Sequence, residues 1–121
     1  MKVLVIDDSE NIRQEIQRAL SSEGFEIVEA TNGIEGVETL RTRADLALAL
    51  CDINMPGMTG LELLAQVAKE GCKTPIVMLT SEGQPSLIAR AKELGAQGWI
   101  LKPFRVEFLV AAVRRLTSKS S

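Results

Sequence analysis

Carboxylates, hydroxyl groups and a lysine directly follow short apolar runs in this sequence. The polar residues that directly follow such runs are Asp7 and Asp8, Asp52, Thr80 and Ser81, and Lys102. Clustered carboxylates can bind a hard divalent cation, whereas hydroxyl and ammonium groups can hold the oxygens of a phosphoryl group. Asp52 is also a candidate nucleophile, because attack by a carboxylate on phosphorus gives an acyl phosphate. These residue types indicate phosphoryl transfer, provided that the fold brings them to one place.

The residue types that are missing narrow the chemistry further. The chain contains no histidine, which excludes histidine metal ligands, histidine general bases and the role of a phosphohistidine carrier. The two cysteines, Cys51 and Cys72, are spaced like neither a CxxC redox pair nor a zinc ribbon, so we expect reduced thiols. Any chemistry must therefore use carboxylates, lysine, hydroxyl groups or these thiols.

Length and composition predict one cytoplasmic globular domain. The 121 residues are 45% hydrophobic and 25% charged with a net charge of −2, so residues 1–121 suit a single domain without direct nucleic-acid binding. The apolar start is stopped by Asp7 and Asp8 and is too short for a signal peptide, so we expect no membrane association. Residues 117–121 are expected to form a flexible polar tail.

Five short apolar runs alternate with stretches of helical spacing. The runs are residues 3–6, 25–30, 46–51, 76–79 and 99–101. This alternation is typical of βα units wound into a parallel sheet. The residues between Asp45 and Asp52 carry no charge and alternate poorly, which predicts a strand that is buried on both faces.

The helical stretches carry start signals, stop signals and apolar stripes. Ser9 and Thr59 are expected N-caps, and Glu62 completes a capping box with Thr59. Pro85 fits the first turn of the fourth helix, and Gly95 is expected just after its end. The apolar stripes are Ile12, Ile16 and Leu20 in the first helix, Ile34, Val37 and Leu40 in the second, Leu61, Leu64 and Val67 in the third, Leu87, Ala91 and Leu94 in the fourth, and Phe108, Leu109, Ala112, Val113 and Leu116 in the fifth.

A strand order of 2-1-3-4-5 would make the first and third strands neighbours. Asp7, Asp8 and Asp52 would then meet at the carboxyl edge, where open α/β sheets bind their ligands. Three clustered carboxylates repel one another and raise each other's pKa unless a cation is present. Mg²⁺ suits such a site, because it takes one or two carboxylates, a carbonyl oxygen and several waters in octahedral geometry.

Four segments, in this order and spacing, resemble the receiver domains of bacterial two-component response regulators, most closely the free-standing chemotaxis type. The segments are residues 5–9 (VIDDS), 52–60 (DINMPGMTG), 77–82 (VMLTSE) and 94–104 (LGAQGWILKPF). The resemblance covers nearly the full chain. It implies a flavodoxin-like (βα)5 fold, a doubly wound parallel sheet of strand order 2-1-3-4-5, and a single receiver domain.

The resemblance also implies roles for the acidic residues. Asp52 would be the phosphoacceptor and a metal ligand. Asp8 and the backbone carbonyl of Asn54 would bind Mg²⁺ directly, whereas Asp7 would act mostly through water. Asn54 and Glu82 border this site, and we expect them to tune hydrolysis of the phosphoryl group.

A second group of residues would sense the phosphoryl group. The resemblance implies that Thr80 bonds one phosphoryl oxygen and reports its presence, that Lys102 pairs with another, and that Lys102 and Pro103 are joined by a cis peptide bond. Trp99 stands where the family keeps its switch aromatic, usually Tyr or Phe, so this bulkier residue is a departure. Thr59 is a second departure, because family members often have Asp there.

The implied function is a phosphorylation-dependent signalling switch, with chemotaxis or motility as the candidate process. A histidine kinase would donate the phosphoryl group, and a target protein would bind the surface of the fourth helix, fifth strand and fifth helix. The chain would not be an enzyme, although it would promote its own phosphorylation and slow autodephosphorylation. We expect a monomer or a weak, phosphorylation-linked dimer.

Three alternatives differ in testable features. The chain could be the receiver fragment of a longer transcriptional regulator. An aspartate-nucleophile phosphatase of the haloacid dehalogenase type usually needs a second Asp two residues after the nucleophile, where this chain has Asn54. A flavodoxin-like nucleotide site is disfavoured, because the turn after the first strand is acidic and lacks a GxGxxG motif.

Overall fold

The computed structural model describes residues 1–81 and 85–118. The strands are β1 (Lys2–Ile6), β2 (Glu26–Ala30), β3 (Leu46–Asp52), β4 (Ile76–Ser81) and β5 (Gly98–Lys102). The helices are α1 (Glu10–Ser21), α2 (Gly33–Thr42), α3 (Gly60–Lys69), α4 (Pro85–Glu93) and α5 (Val106–Ser118). The strict alternation of strands and helices confirms the (βα)5 prediction.

The five strands form one parallel sheet in the order β2-β1-β3-β4-β5, which confirms the predicted strand order. Asp52 of β3 pairs with Leu79 of β4, and Ser81 of β4 pairs with Lys102 of β5. The carboxyl ends of neighbouring strands therefore lie side by side, and the polar residues that follow the apolar runs share one edge of the sheet.

Two apolar layers cover the faces of the sheet, because side chains alternate between the faces along each strand. Leu4 and Ile6 face the layer that includes helices α2 and α3, whereas Val3 and Val5 face the layer that includes α1 and α5. Strand β3 contributes to both layers and is buried along nearly its whole length, as predicted. Among the described helices, none has the length and apolar character needed to cross a membrane.

The predicted caps are present. The Ser9 hydroxyl accepts a hydrogen bond from the Ile12 backbone N–H at 3.3 Å, and Thr59 and Glu62 form the expected capping box. Gly95 lies just beyond α4 with φ +100°, a backbone conformation that favours glycine.

Two stripe residues were placed wrongly by the helical pattern. Ile34 is 71% exposed and Phe108 is 66% exposed, although both were expected to face inward. The buried residue in α3 that the pattern missed is Leu63. In each case the buried face of the helix is rotated slightly about the helix axis from the predicted face. Such an error is easy to make, because the apolar residues of a short helix can fit two neighbouring faces.

The prediction of a polar tail over residues 117–121 was wrong at its start. Helix α5 continues to Ser118, and Thr117 is buried. The Thr117 hydroxyl donates to the Val113 carbonyl at 2.8 Å, which satisfies its polar group within the helix. Residues 119–121 of the predicted tail lie outside the described residues.

Candidate functional site

The three predicted acidic residues meet at the carboxyl edge. One carboxylate oxygen from each of Asp7, Asp8 and Asp52 lies within 4.8 Å of the others. Asp7 and Asp52 are buried, whereas Asp8 is exposed. The cluster forms because β1 and β3 are neighbours and end at the same edge.

Hydrogen bonds hold both the backbone and the side chain of Asp7. Its backbone N–H donates to the Ala30 carbonyl at 3.2 Å, which continues the pairing of β1 with β2. One carboxylate oxygen accepts from the Ser9 N–H at 2.9 Å, and the other accepts from the Lys102 ammonium at 2.8 Å. This buried carboxylate is therefore fixed in position and has a cationic partner.

Asp52 is less completely paired. Its Oδ1 accepts from the Asn54 N–H at 3.2 Å and lies 3.4 Å from the Lys102 Nζ. Burial and then repulsion from Asp7 raise the pKa of Asp52, and Lys102 offsets only part of this effect. The Asn54 side chain is exposed beside the site.

Lys102 carries the positive charge of the site. Burial disfavours its charged form, but the hydrogen bond and charge of Asp7, together with Asp52, outweigh this and raise the pKa of Lys102. Lys102 was expected to pair with a phosphoryl oxygen, and its ammonium also lies 2.8 Å from Asp7 and 3.4 Å from Asp52, where it offsets their negative charge. Its peptide bond to Pro103 is cis, as the resemblance implies.

Thr80 presents a buried hydroxyl at the end of β4. The residue has no exposed surface, and its Oγ1 has no hydrogen-bond partner within residues 1–81 and 85–118. Buried hydroxyl groups are normally paired, so an unpaired one needs an explanation. A hydroxyl that awaits an oxygen acceptor is one such explanation.

Trp99 points partly outward from β5 and is 39% exposed. The Lys92 ammonium of α4 lies 4.7 Å from the centroid of the indole ring, a cation–π contact. The sequence pattern did not identify Lys92, because the spacing of seven residues crosses from a helix to a strand.

Gly60, the first residue of α3, packs directly against the end of β3 that carries Asp52. The sequence pattern did not identify it as a residue that shapes the site. A Cβ there would lie 2.3 Å from the Asp52 carbonyl oxygen and 2.8 Å from the Ile53 Cα. The Gly60 N–H donates to the Ile53 carbonyl at 2.9 Å. Only glycine allows α3 to begin this close to the end of β3.

Glu82, the other residue expected to tune hydrolysis, lies outside the described residues.

The donor set fits a Mg²⁺ ion. Three carboxylates with one exposed member leave room for water ligands, and hard oxygen donors are what Mg²⁺ prefers. A single lysine balances only one of the three negative charges, so a cation would also relieve the remaining repulsion.

Comparison with known proteins agrees with this geometry. Residues 3–114 match the response regulator receiver domain family. The chain is 38% identical over 112 residues to the chemotaxis protein CheY1 of Helicobacter pylori, covering 90% of each chain. It is 36% identical over 121 residues to the transcriptional regulatory protein DltR of Streptococcus agalactiae, covering 100% of this chain and 54% of that relative.

Solved structures show the same relationship. The chemotaxis protein CheY4 of Vibrio cholerae superposes with a TM-score of 0.87 at 38% identity, covering 95% of this chain and 97% of that one. The receiver domain of the Francisella response regulator 1452 has a TM-score of 0.92 at 26% identity, covering 99% and 98%. The chain therefore belongs to the response regulator receiver domain family and is a phosphorylation-dependent signalling domain, a phosphoacceptor and not a classical enzyme.

Proposed function

We propose that Asp52 is the phosphoacceptor and that Asp7, Asp8, Asp52 and the Asn54 carbonyl hold Mg²⁺. The observation that carries this proposal is the meeting of three carboxylates with Lys102 at one edge of the sheet. Asp52 is favoured over Asp7 because its carboxylate is less completely paired. It is favoured over Asp8 because it lies closer to the Lys102 charge.

In the proposed reaction, an Asp52 oxygen attacks the phosphorus of a phosphohistidine on the kinase. The new O–P bond forms as the P–N bond breaks, and the imidazole leaves with the electron pair. When Mg²⁺ is bound, it supplies positive charge beside the phosphoryl oxygens. Lys102 supplies more, because its ammonium already lies 3.4 Å from the attacking carboxylate.

The switch would follow from a hydrogen-bond acceptor that the phosphoryl group supplies. The Thr80 hydroxyl, buried and unpaired within the described chain, would move toward the phosphoryl group and donate to one of its oxygens. This movement would leave space behind Thr80 for the Trp99 side chain. Moving a two-state equilibrium from about 1% to 99% active takes roughly 5.5 kcal/mol. Phosphorylation alone can supply part of this free energy, and binding of a target would supply more.

Receiver domains of response regulators take phosphoryl groups from histidine kinases and bind targets. For this chain we propose that the target binds the surface of α4, β5 and α5. Trp99, Leu101 and Phe108 leave apolar area exposed there, beside a cavity of about 500 Å³ between β5 and α5. A target that prefers the phosphorylated form would also slow loss of the phosphoryl group if it closes the site to water.

The finer parts of the proposal concern lifetime and context. Asn54, exposed at the site, and Glu82 would tune a slow autodephosphorylation by water. A cytoplasmic location, a role in chemotaxis or motility, and a monomer or weak phosphorylation-linked dimer stay predictions. The CheY1 and CheY4 relatives support the chemotaxis assignment.

Intact-mass spectrometry after incubation with acetyl phosphate tests the proposal. We expect one base-labile phosphoryl adduct that requires Mg²⁺ and is absent in Asp52→Asn. Asp45→Asn is the matched control, because Asp45 is an exposed carboxylate at the other end of β3, and it should be phosphorylated like the wild type. An adduct that persists in Asp52→Asn would refute the assignment, and rapid turnover without an adduct would favour the phosphatase alternative.

A second proposal is that the domain works as the receiver part of a longer transcriptional regulator. The observation in its favour is the identity to DltR, which spans the whole of this chain and 54% of that relative. The intact mass of the protein isolated from its native cells decides between the two. A mass near 13.2 kDa supports a free-standing domain, and a mass near twice that value supports a longer regulator.

A further inference from the structure

Arg13 of α1 lies beneath the acidic cluster and contacts its backbone. The guanidinium Nη1 donates to the Asp7 carbonyl at 2.7 Å, and Nε donates to the Glu29 carboxylate of β2 at 2.9 Å. The Arg13 side chain is only 12% exposed. One rigid, charged fork therefore joins α1, the end of β1 and the edge strand β2.

The Asp7 carbonyl belongs to the peptide group that leads into Asp8. The Asp7 N–H and both carboxylate oxygens have other partners, so the contact with Arg13 completes the pairing of this residue. The Asp8 carboxylate, in contrast, has no hydrogen bond within the described part of the chain and is exposed. Its position beside Asp52 thus depends on the orientation of the backbone that carries it.

We propose that Arg13 is a positioning residue for the metal site, held in place by Glu29. By fixing the plane of the peptide between Asp7 and Asp8, it keeps the Asp8 carboxylate turned toward Asp52. The inference rests on the proposed function, because it takes Asp8 and Asp52 as metal ligands. Groups that orient ligands through a hydrogen bond typically change metal affinity by tenfold or more when they are removed.

Removal of Arg13 should change the Mg²⁺ affinity in a direction that depends on its role. If Arg13 acted only through space, its positive charge would repel a cation, and its removal would tighten Mg²⁺ binding. If Arg13 acted only as a structural tie between α1 and β2, its removal would lower stability and leave the affinity of the folded protein unchanged. A positioning role alone predicts weaker binding.

Arginine is also better suited to this position than lysine. The planar guanidinium holds two acceptors at once, the Asp7 carbonyl and the Glu29 carboxylate, in a fixed geometry. Lysine keeps the charge and loses the fork. Arg13→Lys therefore separates geometry from charge, and we expect it to weaken Mg²⁺ binding although the net charge is unchanged.

Isothermal titration calorimetry of the full chain with MgCl2, in the absence of a phosphodonor, measures the affinity directly. We expect Arg13→Gln to raise the Kd for Mg²⁺ by about tenfold. Arg18→Gln, an exposed arginine in the same helix, is the matched control and should bind like the wild type. A Kd for Arg13→Gln within twofold of the wild type, or a lower one, overturns the proposal.

Two further variants keep the test decisive. If Arg13→Gln does not fold, Glu29→Ala keeps Arg13 but removes the acceptor of its Nε–H, and an unchanged Kd in that variant overturns the proposal. Asp8→Asn tests the ligand assignment itself. If Asp8→Asn binds Mg²⁺ like the wild type, the proposed metal site is wrong; if it loses binding and Arg13→Gln does not, only the role of Arg13 is wrong.

Discussion

At the β1 and β3 end of the carboxyl edge, Asp7 has a partner for its N–H, its carbonyl and both carboxylate oxygens. At the β4 and β5 end, Thr80 has a buried hydroxyl without a partner among the described residues, and Trp99 is partly exposed under one lysine. We call the first the fixed end, because the hydrogen bonds of Asp7 leave it few alternative arrangements. We call the second the adaptable end, because Thr80 has unmet hydrogen-bonding capacity among the described residues and Trp99 has only a weak exposed contact. A switch needs both, because a reaction requires fixed geometry and a conformational change requires two states of similar free energy.

The largest effect should come from disturbing the fixed end. Gly60→Ala places a methyl group 2.3 Å from the Asp52 carbonyl oxygen, so α3 or the end of β3 must move. We expect a loss of about 3 kcal/mol in the free energy of unfolding, measured by urea denaturation. Gly98→Ala is the control, because a methyl group there meets no atom within 4 Å. Equal losses in both variants would mean that the close approach at Gly60 is not tight.

Thr80→Val should have the opposite sign. Valine keeps the shape of threonine and removes the unpaired buried hydroxyl, so we expect the unphosphorylated protein to gain about 1 kcal/mol. Ser9→Ala, which removes a paired hydroxyl at an N-cap, should lose about 1 kcal/mol. Thermal denaturation of both variants is the measurement. A destabilised Thr80→Val variant would show that the hydroxyl has a partner after all.

The five strands and the meeting of their polar ends were predictable, because apolar runs define the strands and parallel strands deliver the residues that follow them to one edge. The strand order that makes β1 and β3 neighbours was implied by the resemblance to receiver domains. The pairing of Lys102 with Asp7, the role of Arg13 and the close approach at Gly60 were not predictable. The first joins two residues that lie 95 positions apart in sequence. The other two involve residues that are near in sequence, but they depend on how α1 and α3 are oriented against the neighbouring strand ends, which apolar spacing does not specify. The exposure of Phe108 was missed for a related reason, because the rotation of a helix is decided by the surface on which it packs.

The pH dependence of stability tests how far the ionised Asp52 carboxylate destabilises the fold when no metal ion is bound. Burial and repulsion from Asp7 raise the pKa of Asp52 in the folded protein. Between the ordinary Asp pKa and this raised value, the folded state binds more protons than the unfolded state, so the free energy of unfolding falls as pH rises. In EDTA, we expect Asp52→Asn to lack this fall and to be more stable than the wild type at neutral pH, by on the order of 1 kcal/mol.

Asp45→Asn provides a control of opposite sign. Hydrogen bonds from Arg43 and Lys2 lower the pKa of Asp45, so its ionised form favours folding. That contribution is present above the ordinary Asp pKa and is lost as pH falls through the lowered value. Urea denaturation across pH should therefore show a stabilised Asp52→Asn and a slightly destabilised Asp45→Asn. The same sign for both would mean that Asp52 is not strained.

The smallest effect should come from the contact between Lys92 and Trp99 at the adaptable end. The ammonium favours the outward position of the indole by about 0.5–1 kcal/mol, the usual value for an exposed cation–π contact. If Trp99 moves inward on activation, Lys92→Gln removes a contact that only the resting state has. We expect beryllofluoride, which mimics the phosphoryl group, to bind two- to fivefold more tightly, as followed by the fluorescence of the single tryptophan. Lys92→Arg keeps the cation and should bind like the wild type, as should Lys69→Gln in α3. Equal affinities in all four proteins would mean that Trp99 keeps its outward position in both states, so that the switch at this end would rest on Thr80 alone.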